Sequence, residues 1–191
     1  MNSWSRKDDY YDDDCEPCKN RKKDDYDDHK KEKEHKHTSA VLKCNAGSFG
    51  PSHLIWQTDD SSTMFVNQPI ASVTIDTNCL CNPTLKVDFN GSLDINTDDY
   101  SYSYTFNFTL YRTCKGKARE ALKSFIVPFA PASYRDSIGL NFVYAQCDNQ
   151  CEDCCTYTLE LTSVSPESDD LEIDYSVNGT ICALAIDSKC C

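Results

Sequence analysis

The chain has 191 residues, 39% of them apolar, with a formal net charge of −12. That length allows one ordinary domain plus a tail, and the acidity argues against nucleic acid and anionic lipid as main partners. No stretch approaches the ~18 apolar residues of a membrane helix, so no membrane partner is expected.

The deficit of apolar residues is concentrated at the start. Residues 1–37 hold ten Lys/Arg against twelve Asp/Glu. Their only apolar types are Met1, Trp4, Tyr10, Tyr11, Tyr26, Cys15 and Cys18. Such a segment cannot bury enough surface to offset chain entropy. Residues 1–38 therefore read as a flexible charged connector, with "NRKK" and "HKKEKEHKH" as its basic clusters. The opening "MNSWSRKDDYYDDD" has no apolar core of an export signal. Cys15 and Cys18 form "CEPC", but a redox C-x-x-C needs a βαβ setting that this tail lacks.

From Thr38 onward the composition turns to Val, Ile, Thr, Tyr and Phe, which suit a pleated sheet. "ASVTID" is the first strand candidate. "TLKVDF" follows, with Leu85, Val87 and Phe89 on one face. "YSYSYTFNFTLYRTC" gives the strongest period-2 pattern, with Tyr100, Tyr102, Tyr104, Phe106, Phe108 and Leu110 alternating with polar residues. "CKGK" at 114–117 reads as a turn, and "KGKAREALKSF" could hold one helical turn at most. "SFIVPF" is a strand that Pro128 places at a sheet edge. "IGLNFVYA" aligns Ile138, Leu140, Phe142 and Tyr144. "CTYTLELTSV" aligns Tyr157, Leu159 and Leu161, and "LEIDYSV" aligns Leu171, Ile173, Tyr175 and Val177. "TICALAID" is the last candidate. Asn90-Gly91 and Asn178-Gly179 each sit between two such runs, and Asn-Gly is a strong hairpin signal. The pattern predicts an all-β fold: an antiparallel, jelly-roll-like β-sandwich of about eight strands over residues 39–187. Residues 188–191 form a short tip that ends in Cys190 and Cys191.

Thirteen cysteines in a chain without a visible leader leave two readings: a metal protein, or a protein oxidised after its compartment opens. Cys79 and Cys81, two apart, would lie on one side of an extended strand with near-parallel Cβ directions, which disfavours a mutual bond. Cys154 and Cys155 are adjacent and point to opposite faces, so they too need different partners. With Cys44, Cys114, Cys147 and Cys151 they form an even set of eight disulfide candidates, within the domain or lateral, whose pairing spacing does not fix. A thiolate zinc site is the rival. Only Cys151 and Cys154 form a C-x₂-C pair in the domain, so stapling is the expectation, with no metal and no cofactor. Cys182, inside an apolar run, reads as a small buried hydrophobe. His29, His35 and His37 lie in the connector and His53 stands apart, and no catalytic set emerges. No enzyme activity is expected.

"LKCNAGSFGP", "SVTIDTNCLCNPTLKVDF", "FNFTLYRTC" and "CEDCCTYTLELTSV" resemble, in order, the segments of a small cysteine-rich family of unknown function from clostridia and related spore-formers. The likeness spans about residues 41–187, and "TIDTNCLCNPT" and "CCTYTLEL" are its specific parts. That setting implies the endospore surface, reached when the mother cell lyses. In architecture the chain is similar to endospore appendage subunits, jelly rolls that stack into fibres through cysteines of an N-terminal connector. The comparison implies a self-assembling filament with itself as main partner and other spore coat or exosporium proteins as further ones. Cys15, Cys18, Cys190 and Cys191 would be its intersubunit disulfides. The alternative is a monomeric spore-surface module that binds a carbohydrate, a protein or a metal ion through the "YSYSYTFNF" face.

Overall fold

The computed structural model describes residues 40–56, 63–77, 80, 83–147, 154–168 and 171–187. Its elements are eight strands: β1 (Ala40–Trp56), β2 (Met64–Ile75), β3 (Pro83–Thr97), β4 (Tyr104–Cys114), β5 (Glu120–Phe129), β6 (Arg135–Cys147), β7 (Cys155–Pro166) and β8 (Leu171–Asp187). They form two four-stranded sheets, ordered β1-β8-β3-β6 and β2-β7-β4-β5, and every pairing is antiparallel. β4 pairs β5, β3 pairs β6, β2 pairs β7 and β1 pairs β8. These nested pairs make one long antiparallel ribbon, folded at the β4–β5 turn and rolled so that successive pairs fall in alternate sheets. This is a jelly roll.

The core is made by the period-2 positions. Leu85, Val87, Phe89, Leu93 and Ile95 of β3, with Ile173, Tyr175 and Val177 of β8 beside them in the same sheet, face Phe106, Phe108 and Leu110 of β4 across the sandwich, all buried. Rings interlock there: Phe142 lies 5.2 Å from Phe108 and 4.6 Å from Phe125, and Phe106 meets Tyr175 edge-on at 5.9 Å. Tyr104 brings its hydroxyl into this core beside Thr97 Oγ1, 3.0 Å away. Burial raises the Tyr104 phenol above its usual range, against that hydrogen bond. Pro128 lies in β5, an edge strand, where a missing N–H costs no ladder bond. The "CKGK" turn closes β4 to β5, with Lys117 N donating to Cys114 O at 3.0 Å and Gly116 at φ 74°.

Two expectations fail for one reason: they read local turn chemistry where long-range pairing decides. Asn90-Gly91 is no hairpin but the middle of β3, and Asn178-Gly179 is the middle of β8. "LEIDYSV" and "TICALAID" are therefore one strand, not two. β1, absent from the sequence reading, restores the count to eight. Its alternation is blurred by Gly47 and by a bulge at the cis Gly50–Pro51 bond. Tyr100 and Tyr102 lie before β4 starts and are exposed. Tyr100 instead packs edge-on against Tyr134, ring centres 4.9 Å apart.

The glycines explain why Asn-Gly is tolerated mid-strand. Gly47, Gly179 and Gly91 are paired in one row across β1, β8 and β3. A Cβ on Gly179 would lie 2.4 Å from the Phe89 ring, and one on Gly47 would lie 2.2 Å from Ile70 O. The row leaves a trough on the inner face of the sheet. The Phe89 ring fills one part of it, and the backbone of β2 fills the other. β1 thus comes close enough to β2 to close that side of the sandwich, and Asn45 Nδ2 donates to Ser72 O at 2.9 Å.

Candidate functional site

The register fixes what gathers at each end of the sandwich. Ala40, the start of β1, lies opposite Ile186 near the end of β8. Pro83 at the start of β3 pairs Asp187, and Thr84 pairs Cys147 at the end of β6. In the other sheet Ile75 pairs Cys155, Cys155 pairs Cys114, and Glu120 pairs Arg112. Every one of these is a strand end at the same end of the molecule. The first and last described residues, Ala40 and Asp187, therefore both lie there.

Among the described residues, Cys44, Cys114, Cys147, Cys154, Cys155 and Cys182 all lie toward that end. Cys114 and Cys155, directly opposite on β4 and β7, form a disulfide with Cα atoms 4.1 Å apart, and both are buried in the core. Cys44 and Cys182, opposite on β1 and β8, form a second, also with Cα atoms 4.1 Å apart. Cys182 is thus a correction: it is no buried hydrophobe but half of a staple joining the first and last strands. Its position explains the change. Ile181, Ala183 and Ala185 take the inner face of β8, which leaves Cys182 on the outer face beside an exposed Cys44.

Cys154 is disulfide-bonded as well. Since Cys155 takes Cys114, these adjacent cysteines share no bond. Cys147 ends β6. Cys79, Cys81 and Cys151 lie outside the described residues, as do Cys15, Cys18, Cys190 and Cys191. Among the described residues no group of His, Cys, Asp and Glu is arranged to hold a metal ion.

The opposite end has a different chemistry. Among the described residues of its connections (63, 98–103, 130–134 and 167–168), Asp98, Asp99 and Glu167 are acidic and none is Lys, Arg or Cys. Near it, the outer face of the β1-β8-β3-β6 sheet holds a groove of about 460 Å³ lined by Pro51, Asp94, Asn96, Arg135, Asp136, Ser137, Asp174 and Ser176, with Ile95 and Tyr175 at its floor. Cross-strand pairing assembles it: His53, Asp174, Asn96 and Arg135 stand in one row, and Ser176, Asp94 and Ser137 in the next.

Two of the groove carboxylates are held by hydrogen bonds. His53 Nδ1 sits 2.8 Å from Asp174 Oδ1, while its Nε2 is 3.2 Å from Glu172 Oε1. Asn96 Nδ2 donates to Asp174 Oδ2 at 3.4 Å. The hydrogen bond from His53, then that from Asn96, hold the Asp174 carboxyl below the usual carboxylate range. Asp136 accepts from the backbone N–H of Ala132 and of Ser137 at 2.7 and 2.8 Å, and these bonds lower it likewise. The sequence reading missed this groove. Alternation marks Asp94, Asn96, Asp174 and Ser176 as outward-facing, but only the register of four strands brings them together.

A family model described as "Domain of unknown function (DUF4489)" matches residues 38–186. The chain belongs to this family. No curated protein matches it. Among solved structures, the DUF4489 fold is similar to that in "Structure of infectious bursal disease virus Gx strain", at 11% identity and a TM-score of 0.44, over 78% of this chain and 33% of that one. It is also similar to the infectious bursal disease virus VP2 subviral particle, at 10% identity and a TM-score of 0.35, over 80% and 38%. The chain thus spans between a third and two-fifths of the length of those structures.

Proposed function

We propose that this DUF4489 chain is a non-enzymatic, self-assembling structural subunit of a bacterial endospore surface appendage. Its subunits are cross-linked by disulfides from Cys15 and Cys18 of the connector and Cys190 and Cys191 of the tip. Its site is the outer spore surface, reached when the mother cell lyses, and coat or exosporium proteins are its further partners.

The observation that carries this reading is the pairing of Ala40 with Ile186. Both cysteine-bearing ends leave the same end of the sandwich, but they differ in length. The tip is short: Cys190 is three residues past β8 and reaches ~10 Å at ~3.3–3.6 Å per residue. The connector is long: Cys18, 22 residues before Ala40, reaches ~73–79 Å by the same measure. The longest strands have 17 residues, or ~56 Å at ~3.3 Å each. A connector can therefore run the whole length of a neighbour stacked against its base and meet that neighbour's own cysteine-bearing tip. One long arm and one short acceptor make a heterologous contact, which propagates as an open filament when it does not close into a ring.

The test is oxidation of the purified chain followed by a non-reducing gel and negative-stain microscopy. The expected result is a covalent ladder and fibres. Changing Cys15, Cys18, Cys190 and Cys191 to Ser should abolish the ladder while leaving the thermal transition of the domain in place. A full ladder from the quadruple variant would refute the assignment of these residues. A discrete monomer from the oxidised native chain would favour the monomeric binding module instead.

A further inference from the structure

We infer that the groove formed by Asp94, Asn96, Asp136 and Asp174 is the docking site for the basic segment 29–37 of a second copy of this chain. The inference rests on the stacking read under the proposed function and names the contact that would set its register.

Charge gives the first argument. Residues 29–37 read "HKKEKEHKH", with four lysines and three histidines against two glutamates. The groove offers three aspartates against Arg135, and Asp98, Asp99 and Glu167 stand in the described connections at that end. The groove is also prebuilt: Asp136 is held by two backbone N–H groups and Asp174 by His53 and Asn96. Fixed carboxylates receive a cationic chain without an ordering cost of their own. Asn96, Ser137 and Ser176 can accept from its backbone or lysine donors.

Reach gives the second argument and decides between occupants. Ala40 is level with Ile186, and the groove is level with Asp174 to Ser176. Those are 10 to 12 residues apart along β8, or ~33–41 Å at ~3.3–3.4 Å per residue. Lys33 is seven residues before Ala40 and reaches at most ~25 Å from it; Lys36 reaches ~14 Å. The centre and end of the basic segment cannot enter the groove of their own chain. The groove of a neighbour is different. It begins three residues inside the start of β8, ~10 Å from the acidic end. If that end stacks on the base of the first subunit, segment 29–37 lies over the groove just as it leaves its own domain. The connector then still has chain enough for Cys18 to pass on to the far end.

The test uses full-length chain with Lys30, Lys31, Lys33 and Lys36 changed to Glu. These residues lie outside the sandwich, so the domain is untouched. A synthetic peptide of residues 29–37 is titrated into this chain, isotope-labelled, at low salt. Amide shifts should concentrate at Asp94, Asn96, Ser137, Asp174 and Ser176 and vanish at ~0.5 M salt, where the screening length falls to a few Å. Asp94→Asn with Asp136→Asn should weaken binding at least tenfold, and a peptide with its lysines changed to Glu should not bind. Shifts at the 98–103 and 167–168 connections alone, or none, would overturn the assignment. In a second arm, native and Lys→Glu chains, both with the four terminal cysteines changed to Ser, are compared by sedimentation. Native self-association that the Lys→Glu change leaves intact would retain the filament and discard this contact. Peptide docking in the groove without native self-association would overturn the assignment to a second copy, because a contact between copies must appear as association.

Discussion

Each sheet carries a cross-strand disulfide near the same end of the sandwich, and the two are set in opposite surroundings. Cys114–Cys155 points inward and shares the core with Leu110 and Tyr157. Cys44–Cys182 points outward, beside the exposed Leu42 and Ile186, near the first and last described residues. Loop size ranks them one way and burial the other. The outer bond closes a loop with a sequence separation of 138, the inner one a loop of 41. In the chain-entropy account the outer bond restricts the unfolded chain more. Thiol–disulfide exchange, however, needs access for the attacking thiolate, and only the outer bond provides it. The bond that contributes most to stability is thus the one most open to chemistry.

The largest expected effect follows from loop size. Changing Cys44 and Cys182 to Ser should cost up to ~5 kcal/mol, and changing Cys114 and Cys155 to Ala about 4 kcal/mol. Calorimetry of both variants against the native chain tests the ranking. Titration with a mild reductant, followed by alkylation and peptide mapping, tests the exposure. Cys44 and Cys182 should be labelled while the domain is still folded, and Cys114 and Cys155 only as it unfolds. Simultaneous labelling of all four would mean that the two settings do not differ in access.

Next comes the glycine row, which belongs to the outer-stapled sheet alone. Gly179→Val would place its side chain on Phe89 and on Asn90 O, 2.4 and 2.7 Å from the new Cβ. Neither neighbour can retreat, since one is core and the other is backbone of the central strand. A loss of about 3 kcal/mol is expected, at the upper end for overpacking. By contrast, Gly139→Ala, on the edge strand of the same sheet, meets nothing within 4 Å and should leave the unfolding midpoint unchanged. If both variants unfold like the native chain, the trough is not what seats the Phe89 ring.

This row also shows where sequence reading ends. Alternation identified the buried faces of β3, β4, β6, β7 and most of β8, because side-chain period is a local property. Pro128 identified an edge strand because a missing donor is local too. Asn90-Gly91 and Asn178-Gly179 misled because a residue pair that suits a tight turn also suits a strand in which Gly faces Gly. Which use applies depends on a partner some 90 residues away. The groove was illegible for the same reason. Asp94, Asp136 and Asp174 come from three strands, and nothing in their spacing places them side by side.

The smallest effect distinguishes the acidic end from the cysteine end by pH. Asp174 and Asp136 are depressed below the ordinary carboxylate value of 3.8. Their carboxyls are therefore charged in the folded chain at pH values where the unfolded chain has begun to bind protons. Stability from such groups is present in full above the unfolded value, near pH 4, and is lost as pH falls through the lower folded values. The acid limb of the stability curve should carry this loss. Asp174→Asn keeps the shape and a hydrogen-bond partner for His53 but removes the charge. Its unfolding midpoint should lie slightly below that of the native chain at pH 7, and the gap should close as pH falls below about 4. Both groups are solvent-exposed, so added salt should narrow the gap at pH 7 as well. A gap that is constant from pH 7 to pH 2 would mean that the His53–Asp174–Asn96 row acts through shape and not through charge. The groove would then lose the electrostatic basis on which its partner was assigned.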